Sequence, residues 1–403
     1  MRQSRSPVPP QVQSTLAKLS LCRTAALGGH RYACTHCEHE CTVYNSCGDR
    51  HCPQCAGAKR ADWLASTAQL LLPGLDYFQV VFTIPDKLSS LALGNRREIY
   101  DLLFRSAWRA LREVITHEQQ FEPAAVMMLH TWNQQLDAHA HVHALVPGGG
   151  PSLQQPGEWQ RAQPPAHHPP RRRWLVDADT LRRTFRKRFL RGLRRLHQQK
   201  KLRLSGAWSS LQNTAAFEAW LRPLEQISWV TYIEPPPAHS TAEHVLKYLA
   251  RYMTGGPISD HRLVAHADGR VTFRARRGTT PGGNDDTEEV SLPGAEFVRR
   301  WSLHILPKGY TKTRRCGGYS NHHRQRYMHA CRQLLSKDEP APDESSLDES
   351  SLAAPPPTDH ARDAAERECP HCGHPLLCIA ASDRPSWYSV MSSPDRPGWY
   401  DDG

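Results

Sequence analysis

Apolar positions follow two spacings along the chain. From Ala61 to about Leu72, and again from roughly Asn95 to Thr116, they recur every three or four residues, as an amphipathic helix requires. Between these stretches DYFQVVFTIP (Asp76–Pro85) is a nearly continuous apolar run closed by proline, which predicts a buried strand. AAVMMLHTW (Ala124–Trp132) and HAHVHALV (His139–Val146) predict two more strands, joined by the polar NQQLD into a hairpin, with Gly148-Gly149-Gly150-Pro151 stopping the second. Helical spacing returns from Thr180 to His197, and QISWVTYIEP (Gln226–Pro235) reads as a strand. The next helix opens with Ser240 and Glu243 as a capping box, carries Val245, Leu246, Leu249 and Met253 on one face, and ends at Gly255-Gly256-Pro257. Residues 262–277 predict a hairpin turning at Asp268-Gly269. Strands and helices mixed in this order predict an α+β fold.

The flanks follow neither spacing. Residues 1–60 are rich in Cys, His and turn formers, too short and polar for an apolar core, so a metal is the obvious staple. The stretch from about Pro151 to Pro170 is Pro- and Gln-rich and reads as a surface loop. Beyond Ser336, DEPAPDESSLDESSLAAPPP is acidic and rich in Pro and Ser, a composition that favours disorder, and it leads to a last small cysteine cluster. The expected organisation is a zinc-binding domain over 1–60, a main domain over 61–315 with a basic insertion at about 151–203, and a mostly disordered tail over 316–403.

Charge adds a partner. Lys and Arg number 51 against 40 Asp and Glu, a net +11, which favours a polyanion such as nucleic acid. Between Arg171 and Arg203 lie fourteen Arg and Lys and two acids, so one segment carries nearly all of the excess. Arg171, Arg172, Arg173 and the helix that follows are candidates for phosphate contacts; a merely solvated helix face is the alternative. The chain has no 18-residue apolar run and no apolar signal segment near its start, so a cytoplasmic protein without a membrane span is expected.

Three groups of side chains could carry chemistry. Of the 12 cysteines, seven fall between Cys22 and Cys55 and three between Cys369 and Cys378, which in a reducing compartment suggests metal before disulfide. Cys34-x2-Cys37 and Cys52-x2-Cys55 are two knuckles expected to close one tetrahedral zinc site, with Cys47 and His51 as alternates and Cys41 and His36 nearby. Cys369-x2-Cys372 with Cys378 is a weaker single knuckle. The second group is His141-Val142-His143: in a strand, residues i and i+2 point to one face, so two imidazoles flank one place, suited to a divalent cation, while Val142 points to the core. His139 extends that face. The third is Tyr248 and Tyr252, one helical turn apart beside Lys247 and Arg251. Alone, such tyrosines are commonly core or interface residues. Combined with the histidines they suggest a phenolate attacking a phosphodiester that a histidine-held metal polarises and basic neighbours position.

The collinear blocks YNSCGDRHCPQC, FQVVFTIP, LHTWNQQLDAHAHVHALVPGGG, HVLKYLARYM with ISDHRL, and LHILPKGYTKTRR, from about His30 to Arg315, resemble the rolling-circle transposases of the insertion-sequence-ninety-one family. These belong to the HUH endonucleases, named for His-hydrophobic-His. The resemblance implies an antiparallel sheet flanked by helices, preceded by a small zinc-binding domain. It places the metal histidines at His141 and His143, the nucleophiles at Tyr248 and Tyr252, and the zinc ligands at Cys34, Cys37, Cys52 and Cys55. It implies Mg²⁺ or Mn²⁺ without ATP, single-stranded or hairpin DNA ends as substrate, and a 5′-phosphotyrosine intermediate. His139, His244 and Glu243 are the candidates for a third metal ligand. The acidic tail lies outside the resemblance, and after Arg384 it reads as a frameshifted or degenerate terminus. A replication initiator or relaxase is the alternative with the same chemistry; a zinc-dependent DNA-binding regulator is the alternative without catalysis.

Overall fold

The computed structural model describes residues 8–165, 173–235, 256–276, 287–338 and 367–391, apart from the side chains of 56–60, 260, 338 and 391. The helix expected from Ser240 onward lies outside these residues. The described residues form thirteen strands: β1 (Gly29–Cys34), β2 (Glu40–Tyr44), β3 (Tyr77–Thr83), β4 (Ala124–Trp132), β5 (Ala138–Pro147), β6 (Gly149–Pro151), β7 (Trp159–Arg161), β8 (Val230–Glu234), β9 (Leu263–Ala267), β10 (Arg270–Arg276), β11 (Thr287–Pro293), β12 (Thr313–Gly317) and β13 (Leu376–Ser382). Their pairing is antiparallel throughout. The principal labelled helices are α1 (Pro10–Ser20), α2 (Ala56–Ala68), α3 (Ser89–Gly94), α4 (Arg96–Glu118), α5 (Ala178–Gln198) and α6 (Thr214–Gln226). The architecture is α+β, as expected.

The chain divides into two compact units: one from the described parts of Met1–Ala65, Thr254–His261 and Ser350–Gly403, the other from Ser66–Met253 and Arg262–Glu349. The second unit is built on a five-stranded sheet in the order β12-β4-β5-β3-β8. One face of that sheet sends Phe78, Val80 and Phe82 from β3, Ala125, Met127 and Leu129 from β4, and Ala140, Val142, Ala144 and Val146 from β5 into a single apolar core. α4 and α5 close the core from above.

α5 forms because Asp177 caps it, accepting the Thr180 amide at 2.7 Å, and because Leu181, Phe185, Phe189, Leu193 and Leu196 fall on one face. Phe185 sits at its centre, edge-on to Phe82 (5.1 Å) and to Trp229 (5.5 Å). The expected basic insertion is therefore an integral layer: its charged face is outward, but its apolar stripe is core.

Several expectations need correction. The glycines after β5 do not end sheet structure, since β6 follows at once and pairs with β7 inside the segment read as loop. α6, capped by Asn213, was not expected, because Pro223 inside it breaks the helical reading of the sequence. The C-terminal region is not simply a tail. Residues Arg324–Asp338 form a helix that buries Tyr327, Met328, Cys331 and Leu335, and β13 pairs with β1 in a β13-β1-β2 sheet. Antiparallel pairing to β1 places the last cysteines with the first ones, so the 1–60 boundary omits part of the first unit. The Asp268-Gly269 hairpin is present between β9 and β10, with φ of 51° and 67°, as a type I′ turn requires. Among the described residues no helix is long and apolar enough to cross a membrane.

Candidate metal centre and nucleic-acid surface

The core-facing residues of β4 and β5 leave the alternate residues on the opposite face of the sheet. There the register sets His130 across from His141 and Met128 across from His143. Ring centroids lie 5.3 Å apart for His130–His141, 4.6 Å for His130–His143 and 5.0 Å for His141–His143. One nitrogen from each ring lies within 4.8 Å of the others, which makes three imidazoles with a common centre. His130 and His143 are buried, and His141 is half-buried.

Neighbours fix the rings. His141 Nδ1 lies 3.0 Å from the His139 carbonyl, which only accepts, so Nδ1 carries the proton and Nε2 keeps the lone pair a metal needs. The Gln79 amide lies 3.3 Å from His143 Nδ1 with its oxygen buried and unpartnered. Turning that amide over lets the oxygen accept from Nδ1–H, and His143 Nε2 then faces the centre in the same form. Trp132 stacks on His130 at 4.6 Å, and Lys312 lies 5.1 Å over Trp132. Below the hairpin, buried His304 donates from Nε2 to the Leu136 carbonyl (3.0 Å) and accepts at Nδ1 from Thr131 Oγ1 (3.2 Å).

Burial, followed by the charges of His143 and His139, holds His141 well below the ordinary imidazole range, and burial followed by Lys312 pushes His143 down to about 4. Both rings are neutral near pH 7, the form that ligates metal. Three imidazoles form a donor set that fits a divalent transition ion better than one demanding only oxygen ligands.

His139, expected as a possible third ligand, has its ring 5.5 Å from that of His141 but pairs with Asp86 at 2.8 Å, and the three nitrogens that converge are those of His130, His141 and His143. Its place is taken by His130, a residue with no near sequence neighbour to flag it. The signal lay in the hairpin itself, since β4 read against β5 puts His130 opposite the His-Val-His run. His244, Glu243, Tyr248, Tyr252, Lys247, Arg251, Arg171 and Arg172 lie outside the described residues.

Arg173 is described and its charge is engaged, with Nη1 2.6 Å from Asp76. Along α5, Arg182 pairs with Asp179, Arg188 with Glu113, and Arg194 with Glu218 and Glu225. Among the described residues, Arg183 and Arg186 reach neutral oxygens, on Thr180 and the Ile227 carbonyl. With Lys187 and Arg191 they line an open groove along the outer side of the helix. α5 packs on the core face of the sheet, so this groove is on the side opposite the histidines.

The cysteines do not converge as expected. Cys34 and Cys37 lie far from Cys52 and Cys55 because β1 and β2 separate the two knuckles, and each knuckle closes with other partners. Cys52 and Cys55 join Cys22 and Cys47 in a buried cluster, with Sγ–Sγ distances of 3.5 Å (Cys52–Cys22), 3.7 Å (Cys22–Cys55) and 3.6 Å (Cys47–Cys55). A tetrahedral zinc with Zn–S near 2.3 Å has sulfur edges of about 3.8 Å, so four thiolates fit one ion. Cys47, named only as an alternate, belongs to this cluster, and Cys22, at the end of α1, was missed because it stands outside any C-x2-C. His51 is outside it, bonded to Asp49 at 2.9 Å. Cys34 and Cys37 lie instead beside Cys369 and Cys372.

Two family models match the chain. A family model described as "Putative transposase" matches residues 124–326, from β4 through the start of the Arg324 helix. A second, described as "Transposase zinc-binding domain", matches residues 1–84. The chain is similar to "Putative transposase y4qJ" of Sinorhizobium fredii (strain NBRC 101917 / NGR234), 37% identical over 335 residues, 82% of this chain and 80% of the relative. It is also similar to "Transposase for insertion sequence element IS801" of Pseudomonas savastanoi pv. phaseolicola, 27% identical over 335 residues, 81% of this chain and 75% of the relative. No solved structure matches it.

The depressed histidines give a pH signature. His143 titrates near 4 when folded and 6.5 when unfolded, so its contribution is fully present above pH 6.5 and is lost as pH falls toward 4. In urea unfolding without added divalent metal, the wild type should lose on the order of 3 kcal/mol relative to His143→Gln over that interval. A difference that stays flat with pH would remove the buried neutral imidazole from the account.

Proposed function

This chain belongs to the IS91-type family of insertion-sequence transposases with an N-terminal zinc-binding domain, and on that premise we propose that it nicks and rejoins single-stranded DNA through a covalent tyrosine intermediate in rolling-circle transposition. Its partner is DNA, as a transposase requires. The observation that carries the reading is the convergence of His130, His141 and His143 on one nitrogen-lined centre, where two of the three belong to the His-Val-His run.

In this reading the phenolate of Tyr248 or Tyr252 attacks the scissile phosphorus. The new O–P bond forms as the bond to the 3′-oxygen breaks; that oxygen takes a proton and leaves as a 3′-hydroxyl, and the 5′-phosphate stays on the tyrosine. A 3′-hydroxyl from another strand end reverses the step and frees the tyrosine. His130, His141 and His143 would hold Mn²⁺ or Mg²⁺, with the all-nitrogen donor set favouring Mn²⁺. When bound, that ion supplies charge neutralisation at the scissile phosphate. His139 O and Gln79 orient His141 and His143, and Lys247 and Arg251 would steady the phosphate beside the tyrosines. The buried cluster Cys22, Cys47, Cys52 and Cys55 would hold a structural Zn²⁺ with all four positions filled by protein.

Single-stranded or hairpin ends of the mobile element are the proposed substrates, met in the cytoplasm. The Arg183, Arg186, Lys187 and Arg191 groove would grip phosphates of a different stretch of DNA from the one at the histidines, because the sheet stands between them. Arg171 and Arg172 would extend that grip. Arg173, already paired with Asp76, would add little.

Labelled single-stranded oligonucleotides from the element's ends, incubated with protein and Mn²⁺, should yield a protein–DNA adduct that survives denaturation. The adduct should disappear with EDTA, in His130→Ala and His141→Ala, and in the Tyr248→Phe/Tyr252→Phe double variant; the single tyrosine variants show which phenol attacks. Binding without an adduct under every condition, with a preference for duplex, would favour the non-catalytic regulator.

Replacing Arg183, Arg186, Lys187 and Arg191 with glutamine should weaken DNA binding and flatten its salt dependence. The slope of log K against log salt should fall by about 0.7 to 0.9 for each phosphate that the variant no longer neutralises. An unchanged slope would make the groove a solvated face.

A further inference from the structure

The zinc-binding family match ends at residue 84, short of the second pair of cysteines that meets Cys34 and Cys37. We propose that Cys34, Cys37, Cys369 and Cys372 bind a second structural zinc ion, which clasps the C-terminal segment to the N-terminal module as the two halves of one zinc ribbon. The identity of the metal rests on the zinc-binding reading of the module; the site rests on its own geometry.

The sulfur distances are those of a shared ion. Cys34–Cys372 is 3.4 Å, Cys37–Cys369 is 3.6 Å and Cys37–Cys372 is 3.5 Å. A disulfide needs about 2.05 Å, and Cys372 lies equally near two partners, whereas a tetrahedral thiolate site needs edges of about 3.8 Å.

The two knuckles also mirror each other step by step. The Cys34 amide donates to the His39 carbonyl at 2.9 Å, and the Cys369 amide donates to the His374 carbonyl at 2.7 Å, the same five-residue reach. In each, the residue after the second cysteine has left-handed backbone, Glu38 at φ 56° and Gly373 at φ 74°. The third residue of each knuckle stacks on the sixth of the other: His36 on His374 at 4.1 Å and His39 on His371 at 4.2 Å. The His36 and Cys37 amides point at Cys34 Sγ, 3.4 and 3.5 Å away, as knuckle amides do when they stabilise a thiolate. β1 and β13, paired so that Cys34 faces Leu376, deliver the two turns side by side. Such a near-twofold arrangement, made by segments 332 residues apart, has its centre at the four sulfurs.

The consequence is topological. The N-terminal module keeps one complete cysteine site of its own, but the second is completed only when the end of the chain returns to it.

The test counts zinc released from the purified full chain as its thiols are titrated with a mercurial, which leaves a histidine-bound metal in place. Two ions per chain are expected from the wild type and from His36→Ala, and one from Cys369→Ser/Cys372→Ser. One ion from the wild type, or two from the double variant, would overturn the clasp. A second measurement uses the unaltered cysteines: with a protease site inserted after residue 350, the cleaved C-terminal fragment should stay with the rest of the chain on gel filtration and separate once zinc is stripped. Release of that fragment while both zinc ions remain bound would contradict it as well.

Discussion

The pairing register of β4 against β5 is the constraint on which the rest depends. Alternation in a strand forces a choice of face for every residue, and the apolar set Ala125, Met127 and Leu129 with Ala140, Val142 and Ala144 can satisfy only one choice. Once those side chains are buried under α4 and α5, His130, His141 and His143 must emerge together on the other face. A slip of one residue would put imidazoles into the core and methyl groups into the site. Val142 thus matters to the centre without touching it.

The same division of faces separates two kinds of charge. On the histidine side, burial keeps the rings neutral and ready to ligate. On the helix side, α5 pairs Arg182, Arg188 and Arg194 with internal carboxylates and leaves Arg183, Arg186, Lys187 and Arg191 outward. Exposed pairs of the first kind contribute little to stability, so the value of the basic helix lies in what its outward half can attract. A polyanion is the natural partner for that half, which agrees with the chain's membership of a transposase family.

Much of this was legible in the sequence, and the gaps have physical causes. β3, α4, β4, β5 and α5 could be read from spacing because each buries a regular stripe. His141 and His143 were legible because their pairing is local, two residues along one strand. His130 was not, because its relation to them exists only across the hairpin register. The grouping of the cysteines was not legible for the same reason: C-x2-C identifies a knuckle but not its partner. Cys22 lacks a knuckle, and the mates of Cys34 and Cys37 come after more than 300 residues of intervening chain. α6 was hidden by Pro223, and β12 by its polar TRRCG sequence at the edge of the sheet, where only one neighbour is needed.

The most direct measurement of the central claim is Mn²⁺ binding to the zinc-loaded protein, followed by titration calorimetry or by the electron paramagnetic resonance of the free ion. If three imidazoles form the site, His130→Ala should weaken binding by about tenfold or more, as His141→Ala and His143→Ala do, while His139→Ala binds as the wild type. Wild-type affinity in His130→Ala, with loss in His139→Ala, would contradict it and return the third position to the His139–Asp86 pair.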